Sequence, residues 1–384
     1  MVSRLVSRRR RRAVVATIGY VMLISLVLRI ISSTVQRRVV PFATIEASSS
    51  AVYYGGNYWN DFEPVRKYMN RLASGNESLA WQEHLLHFRE HVPFKKALIL
   101  SCGNGWVEAE LYAKGIIESA VGIDINAVLL AEARARSVTN GLPFRYYKVD
   151  SNRAETFPEN GYDVVINHAS LHHVAYIDRH VRLIYEILHR DAGVLVNVDY
   201  TGPHRNQYDA LEWDTIVKLN EEGDPRFHHD SLGYAHLPTM LTTDPSEAIH
   251  SELIVTTLKR YFIPLWDRPL NGALAYALLT HNKKLSKYRA DWRNSAKLSL
   301  RNHFERILNF DEEHAKVRPD SYLFWYSIMK CKPNAPTNND LQSWSAEERV
   351  RENLAVKHRG VYYPPTSVHD KLYGRTRQRN RFLA

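Results

Sequence analysis

Two stretches of this 384-residue chain carry side chains whose types and spacing could do chemistry. The first is Ser101-Cys102-Gly103-Asn104-Gly105, followed by Asp124-Ile125 and then by Asp150-Ser151. Glycines such as Gly103 and Gly105 let a backbone approach a ligand where a Cβ would clash. Asp124, 19 residues past Gly105, is placed to accept the two hydroxyls of a ribose, and Asp150 to meet an adenine amino group. These residues describe a nucleoside-shaped ligand. They do not suit a pyrophosphate, because a dinucleotide site wants a third small residue where this chain has Glu108, and a carboxylate at a helix N-terminus repels phosphate. A nicotinamide oxidoreductase is disfavoured on that ground.

The second stretch is Asn167-His168-Ala169-Ser170-Leu171-His172-His173-Val174. Histidine titrates near neutrality and can act as general base for a hydroxyl nucleophile, although paired histidines also often hydrogen-bond their own loop. His172 and Asp199 are the candidate catalytic residues, and Asn167 and His168 join the candidate ligand contacts. Asp199 to Arg205, with His228, His229 and His236, is expected to line an acceptor pocket, because ligands bind beyond the carboxyl ends of strands. No residues are assigned to a metal. Those three histidines match no ligand spacing, and His84, His87 and His91, recurring at helical spacing, read as a partly buried surface stripe.

Short apolar runs must position these groups: Ala97 to Leu100, Ala120 to Ile123, Phe144 to Val149, Tyr162 to Ile166 and Val194 to Val198. Helical patterns separate them at Val107 to Lys114, Ala127 to Thr139 and Tyr176 to Leu188, with Gly115 and Gly141 as stops. Alternating strand and helix predict a parallel sheet covered on both faces. Further strands at Arg260 to Trp266 and Tyr322 to Cys331 would make it seven-stranded. The chain then divides into a basic segment and anchor (1–45), a linker with helices at Asp61 to Leu72 and Ser78 to His91 (46–96), the main domain (97–331) and a polar tail (332–384). Polar residues 202–246 interrupt the main domain and read as an insertion. Tyr53, Tyr54, Tyr58 and Trp59 form either a lid over the ligand or plain aromatic core.

Leu98 to Gly105, Val121 to Asn126, Tyr147 to Asp150 and Tyr162 to Val174 resemble, in this order, the motifs of class I S-adenosylmethionine-dependent methyltransferases of the type 11/12/25-like group. The resemblance is good from Lys96 to Tyr200 and looser to Cys331. It implies an α/β Rossmann-like fold, a seven-stranded sheet with helices on both faces, and S-adenosyl-L-methionine as cofactor. It also implies that Ser101 to Gly105 touch the methionine part, Asp124 the ribose and Asp150 the adenine. Two positions depart from the pattern: Ile99 stands where an acid is usual, and Ser101 replaces the first loop glycine. Gly202-Pro203 and Asp244-Pro245-Ser246-Glu247-Ala248 are similar to segments of bacterial glycan-assembly methyltransferases, which implies O-methylation of a glycan or other hydroxyl acceptor. The alternatives are a membrane-tethered small-molecule or lipid methyltransferase, and a non-catalytic cofactor-binding scaffold.

A formal charge of +10 first suggests nucleic acid, but nine arginines fall before residue 46, where there is no acid. Removing them leaves 42 basic residues against 41 acids, so the body offers no electrostatic case for a nucleic-acid partner. Ala13 to Leu28 are uncharged, and with Arg29 snorkelling the run extends through Gln36, which reads as a transmembrane helix (residues 13–36). Arginines concentrate before it, so the positive-inside bias predicts a single-pass signal-anchor with an endomembrane, lumenal body, the alternative being a mitochondrial transit peptide. Asn76-Glu77-Ser78 would then be a usable sequon. Cys102 and Cys331 are the two cysteines and indicate no disulfide framework.

Overall fold

The computed structural model describes residues 57–336 apart from 89, 190, 237–238, 241–242, 245, 289–297 and 335. The expected anchor, Tyr53, Tyr54 and the basic C-terminal end lie outside the described residues. Among those described, no helix is long and apolar enough to cross a membrane.

Seven strands form one sheet: β1 (Ala97–Leu100), β2 (Ala120–Asp124), β3 (Phe144–Lys148), β4 (Val164–His168), β5 (Val194–Tyr200), β6 (Phe262–Pro269) and β7 (Phe324–Cys331), in the order β3-β2-β1-β4-β5-β7-β6. Strands β1 to β5 pair parallel with one another, as a βαβ rhythm dictates. The expectation of an all-parallel sheet needs correction at β7, which runs antiparallel between β5 and β6. The chain reaches β7 at the carboxyl edge of the sheet, where the Thr201 N–H donates to the Leu323 carbonyl at 2.7 Å, so the strand can only run back down.

Among the described residues the helices that matter for the site and its cap are α1 (Glu63–Ser74), α2 (Trp81–His84), α3 (Trp106–Ala113), α4 (Ala127–Thr139), α5 (Ile177–Ile187), α6 (Ala210–Glu221), α7 (Ile254–Tyr261), α8 (Ala275–Leu279) and α9 (Leu298–Val317), with a further single turn at Lys283–Ser286. Strand pleat splits the apolar runs between two cores. Leu98 and Leu100 pack with Val121, Ile123 and Val165 against α5 and α7. Ala97 and Ile99 point the other way, with Val164, Ile166 and Val196, against α3 and α4. Each fully buried Leu, Ile or Val is worth roughly 1.5–3 kcal/mol, so both faces need their helices. Local signals set helix ends: the Asn126 side chain accepts from the Val128 and Leu129 N–H groups at the start of α4, and Gly115 and Gly141 take left-handed φ of 68° and 60° beyond α3 and α4. The helix expected over Ser78 to His91 shortens to α2 and a 3-10 turn, Leu85–His87.

A third core lies above the carboxyl edge, where α1, α6, α8 and α9 bury Phe62, Tyr68, Trp213, Ile216, Leu278 and Phe304. The expected polar insertion at 202–246 is therefore partly ordered cap, because Trp213, Ile216 and Leu219 form an apolar stripe on α6. Trp59 stacks on Phe324 at 5.3 Å and is 2% exposed, which makes it core and not lid.

Asp311 of α9 ties the cap together. Its carboxylate accepts from the N–H groups of Gly272 (2.8 Å), Leu274 (2.8 Å) and Ala275 (3.1 Å) and from the Tyr68 hydroxyl (3.0 Å). Asp311→Ala would leave three backbone donors without that acceptor and should lower stability by about 3–5 kcal/mol in urea denaturation. An unchanged midpoint would show that the cap does not depend on this carboxylate.

Candidate functional site

The loop after β1 turns on three left-handed residues: Ser101 (φ 43°), Gly103 (56°) and Gly105 (78°). Ser101, in place of a glycine, keeps the left-handed turn and adds a tether, since its Oγ lies 2.8 Å from the Ser170 Oγ in the loop after β4. Gly105 has a reason beyond ligand approach, because a Cβ there would sit 2.7 Å from the Tyr146 hydroxyl. Cys102 is buried and faces Gly122, whose Cβ would meet its Sγ at 2.7 Å; the sulfur belongs to the core side of the loop. Burial pushes its thiol pKa up.

Asp124 closes β2 and holds the loop: its Oδ2 accepts from the Gly103 N–H at 2.8 Å and its Oδ1 from the Asn126 N–H at 2.7 Å. Each oxygen keeps a lone pair for a ligand hydroxyl. Burial raises its pKa, and the loop N–H groups oppose that shift. Ile125 is half-buried beside it. Asp150 sits one turn beyond β3, where its carboxylate accepts from the Asn152 N–H at 2.9 Å and pairs with Arg153. Asp150 and the adjacent Ser151 are half-buried.

Glu108 lies beneath the loop with no exposed surface. Neither oxygen makes a well-formed hydrogen bond. Burial pushes its pKa up to about 7 against weak opposing contacts from its own N–H and Tyr146. An acid so placed repels anions and favours a cationic ligand. Ile99, by contrast, is 1% exposed in the apolar core.

At the carboxyl end of β4 and β5 the organising group is Asp199. Its Oδ2 accepts from Asn167 Nδ2 (2.7 Å), the Ser170 N–H (3.3 Å) and the Leu171 N–H (2.8 Å), and its Oδ1 from His172 Nδ1 (2.6 Å) and the Tyr200 N–H (2.7 Å). Burial alone would lower the His172 pKa, but Asp199, with Glu247 and Asp244 farther out, raises it to about 9. Burial works against the Asp199 carboxylate, yet His172 and its hydrogen-bond donors hold it below the usual range.

The candidate catalytic pair is thus in contact. Asn167, grouped by sequence with the ligand contacts, is fully buried, its amide donating to Asn197 and Asp199 and its oxygen accepting from Leu171. It supports the turn from inside. His168 stacks on Trp81 (5.6 Å, 22°) and meets Trp106 edge-on at 5.2 Å, and burial lowers its pKa to about 4. Asn104 is 9% exposed on the loop.

The acceptor-side histidines of the insertion are turned to structural partners instead: His228 to the Gly223 carbonyl, His229 to the Thr280 carbonyl and His236 to Thr239. Glu247, which sequence spacing did not bring to the site, is the group that does arrive. Its Oε2 lies 3.8 Å from Nε2 of both His172 and His173. The segment is stitched to the histidine turn by the Ile249 N–H, which donates to the His172 carbonyl at 3.1 Å. A cavity of about 730 Å³ opens beyond β5 between Thr201 to Pro203 and Arg318 to Leu323, and it contains none of the loop residues or Asp124.

Residues 98–196 match a family model described as a methyltransferase domain. The chain carries a class I methyltransferase domain, and its cofactor is S-adenosylmethionine. Comparison with curated proteins gives no match. Among solved structures, the methyltransferase-domain chain is similar to an S-adenosylmethionine-dependent methyltransferase from Mesorhizobium loti (22% identity over 32% of this chain and 54% of that one, TM-score 0.26). It is also similar to one from Clostridium acetobutylicum (18%, 32% and 50%, TM-score 0.28). A third is phosphoethanolamine N-methyltransferase 2 of Haemonchus contortus in complex with S-adenosyl-L-methionine (15%, 71% and 57%, TM-score 0.38). The chain spans about half the length of the first of these.

The site of this methyltransferase domain fits the cofactor: a ribose-sized acceptor at Asp124, a loop open to close approach, and an acid beneath it that suits a sulfonium and an ammonium. Asp124→Ala should weaken S-adenosylmethionine binding by about 100-fold or more in calorimetry, since two hydroxyls lose their acceptor and the loop its tether. Glu108 generates a stability effect of known sign. Its folded-state pKa of about 7 lies above the ordinary 4.5, so its contribution is complete below pH 4.5 and lost as pH rises to 7. At pH 8, cofactor-free Glu108→Gln should exceed the unsubstituted protein by up to about 3 kcal/mol in urea denaturation, with little gain at pH 4.5. Equal gains at both pH values would refute the buried-acid assignment.

Proposed function

We propose that the chain transfers the methyl group of S-adenosylmethionine to a hydroxyl of a glycan or similarly hydroxyl-rich acceptor. The observation that carries this reading is the Asp199–His172 contact, which leaves His172 Nε2 directed at Glu247, two residues from the Ser170 hydroxyl that touches the cofactor loop. The cofactor supplies a methyl carbon already activated by its sulfonium, so the protein has chiefly to align the acceptor and exclude water. A neutral hydroxyl must shed a proton as it attacks; the Glu247 carboxylate at this face can receive it, and His172, whose pKa Asp199 raises to about 9, does so only once its own Nε2 proton has gone in the alkaline range. Asp199 positions His172 for that role without touching the acceptor.

A hydroxyl-rich acceptor is supported by the similarity of Gly202-Pro203 and Asp244 to Ala248 to segments of glycan-assembly methyltransferases. Membrane attachment through residues 13–36, with a lumenal body, is part of the same proposal and rests on the apolar run and its arginines.

Incubation with methyl-labelled cofactor and fractionated cell extract should place label in a glycan fraction as a base-stable ether. Label confined to protein or to amines would overturn the acceptor assignment. His172→Ala should lower kcat by about 100-fold or more while leaving cofactor affinity unchanged. Full activity in that variant would remove His172 from the mechanism.

A further inference from the structure

Both histidines of the turn have one ring nitrogen engaged and present the other to the same carboxylate. His172 Nδ1 is held by Asp199 at 2.6 Å. His173 Nδ1 lies 3.1 Å from the Ser246 Oγ, and the Ser246 hydroxyl is in turn 2.6 Å from Asp244 Oδ1. That chain fixes the proton of His173 on Nδ1, with Ser246 accepting it and donating on to Asp244. The two Nε2 atoms therefore face Glu247 Oε2, each at 3.8 Å, with all three ligand atoms within 4.8 Å of one another. Three donor atoms converge, the His172 nitrogen giving up its proton when a cation binds, and 3.8 Å is too long for a hydrogen bond from either nitrogen to the carboxylate. Protonating one ring would serve one contact, whereas a cation between them serves all three.

We propose that His172, His173 and Glu247 form a binding site for a divalent first-row transition ion of the zinc class. Two imidazoles and one carboxylate are the donor set such ions prefer, and they exclude magnesium and calcium, which select oxygen ligands. Bond lengths of about 2.1 Å in a tetrahedral site put the donors about 3.4 Å apart. The two contacts to the half-buried Glu247, each 3.8 Å, close to that by a few tenths of an ångström through rotation of its side chain, and the two imidazole nitrogens, within 4.8 Å of each other, close by ring rotation. Asp199 and the Ser246–Asp244 pair are the outer partners that fix ring orientation in metal-binding histidines. Three protein ligands leave one position open toward the acceptor face. The ion's role, unlike the site itself, rests on the hydroxyl-acceptor reading: with the ion bound, coordination would acidify the hydroxyl, its proton would pass to solvent water, and the oxygen would form its bond to the methyl carbon as the C–S bond of the sulfonium breaks and leaves a neutral thioether.

The test uses the full-length chain in detergent, stripped with chelator and titrated with zinc ion against a chromophoric competitor, with cobalt substitution read by absorption. The site predicts one equivalent of zinc and the intense visible bands of four-coordinate cobalt. Glu247→Gln and His173→Ala should each weaken zinc binding by more than about 100-fold, and Ser246→Ala, which removes only an orienting group, by about 10- to 100-fold. S-adenosylmethionine calorimetry on each variant confirms that the fold persists. Absence of stoichiometric zinc, or equal zinc binding by the Glu247 and His173 variants, overturns the proposal. A chain that binds no stoichiometric zinc but binds S-adenosylmethionine and methylates a hydroxyl keeps the functional reading and loses the metal site. One that binds zinc at these residues but methylates no hydroxyl keeps the site and loses that reading.

Discussion

A carboxylate at the end of one strand, accepting the backbone N–H groups of the loop that leaves the neighbouring strand, is the interaction on which this molecule's site depends, and it occurs twice. Asp124 at the end of β2 holds the loop after β1 through the Gly103 N–H. Asp199 at the end of β5 holds the loop after β4 through the Ser170 and Leu171 N–H groups. Burying a carboxylate costs several kcal/mol, and hydrogen bonds to a charged group offset it at about 1.5–3 kcal/mol each. Asp199, 1% exposed, has five such donors. What these bonds secure together is a single loop conformation.

That rigidity has a use, because both loops begin in strain. Ser101 and Ala169 follow adjacent strands, and each is a non-glycine residue in the left-handed region, at φ 43° and 54°. Such a conformation costs about 1–2 kcal/mol per residue and persists only where the surroundings impose it. The Ser101–Ser170 hydroxyl contact joins the two strained turns and so couples the cofactor loop to the acceptor-side turn. An in-line displacement, whose rate depends on alignment of three atoms, benefits from that coupling.

Local chemistry was legible from the chain, and long-range chemistry was not. The five parallel strands follow from apolar runs and glycine stops, and Asp124 from its distance to the loop. The antiparallel β7 was not readable, because nothing in Phe324 to Cys331 records the edge from which the chain arrives. Helix α6 was passed over amid polar sequence, although Asp209 and Glu212 carried a signal: the Asp209 carboxylate accepts from the Glu212 N–H at 2.8 Å, as a helix start with an acid three residues on would suggest. Asn167 was grouped with ligand contacts because position along β4 says nothing of which way the side chain turns, and Asn197 and Asp199 decide that.

Glu247 shows most sharply why the acceptor half is hard to read. It lies 74 residues beyond His173 and reaches the site only because the Ile249 N–H meets the His172 carbonyl and the Arg205 guanidinium holds the Glu247 carbonyl. Backbone contacts of this kind leave no trace in residue type. The Asp244 to Ala248 segment stood out by similarity alone, whereas its chemistry emerges from direction: Ser246 and Asp244 fix the proton on the outer nitrogen of His173, as Asp199 does for His172, and so commit both inner nitrogens to the carboxylate. The outer partners thus determine that these three atoms act together.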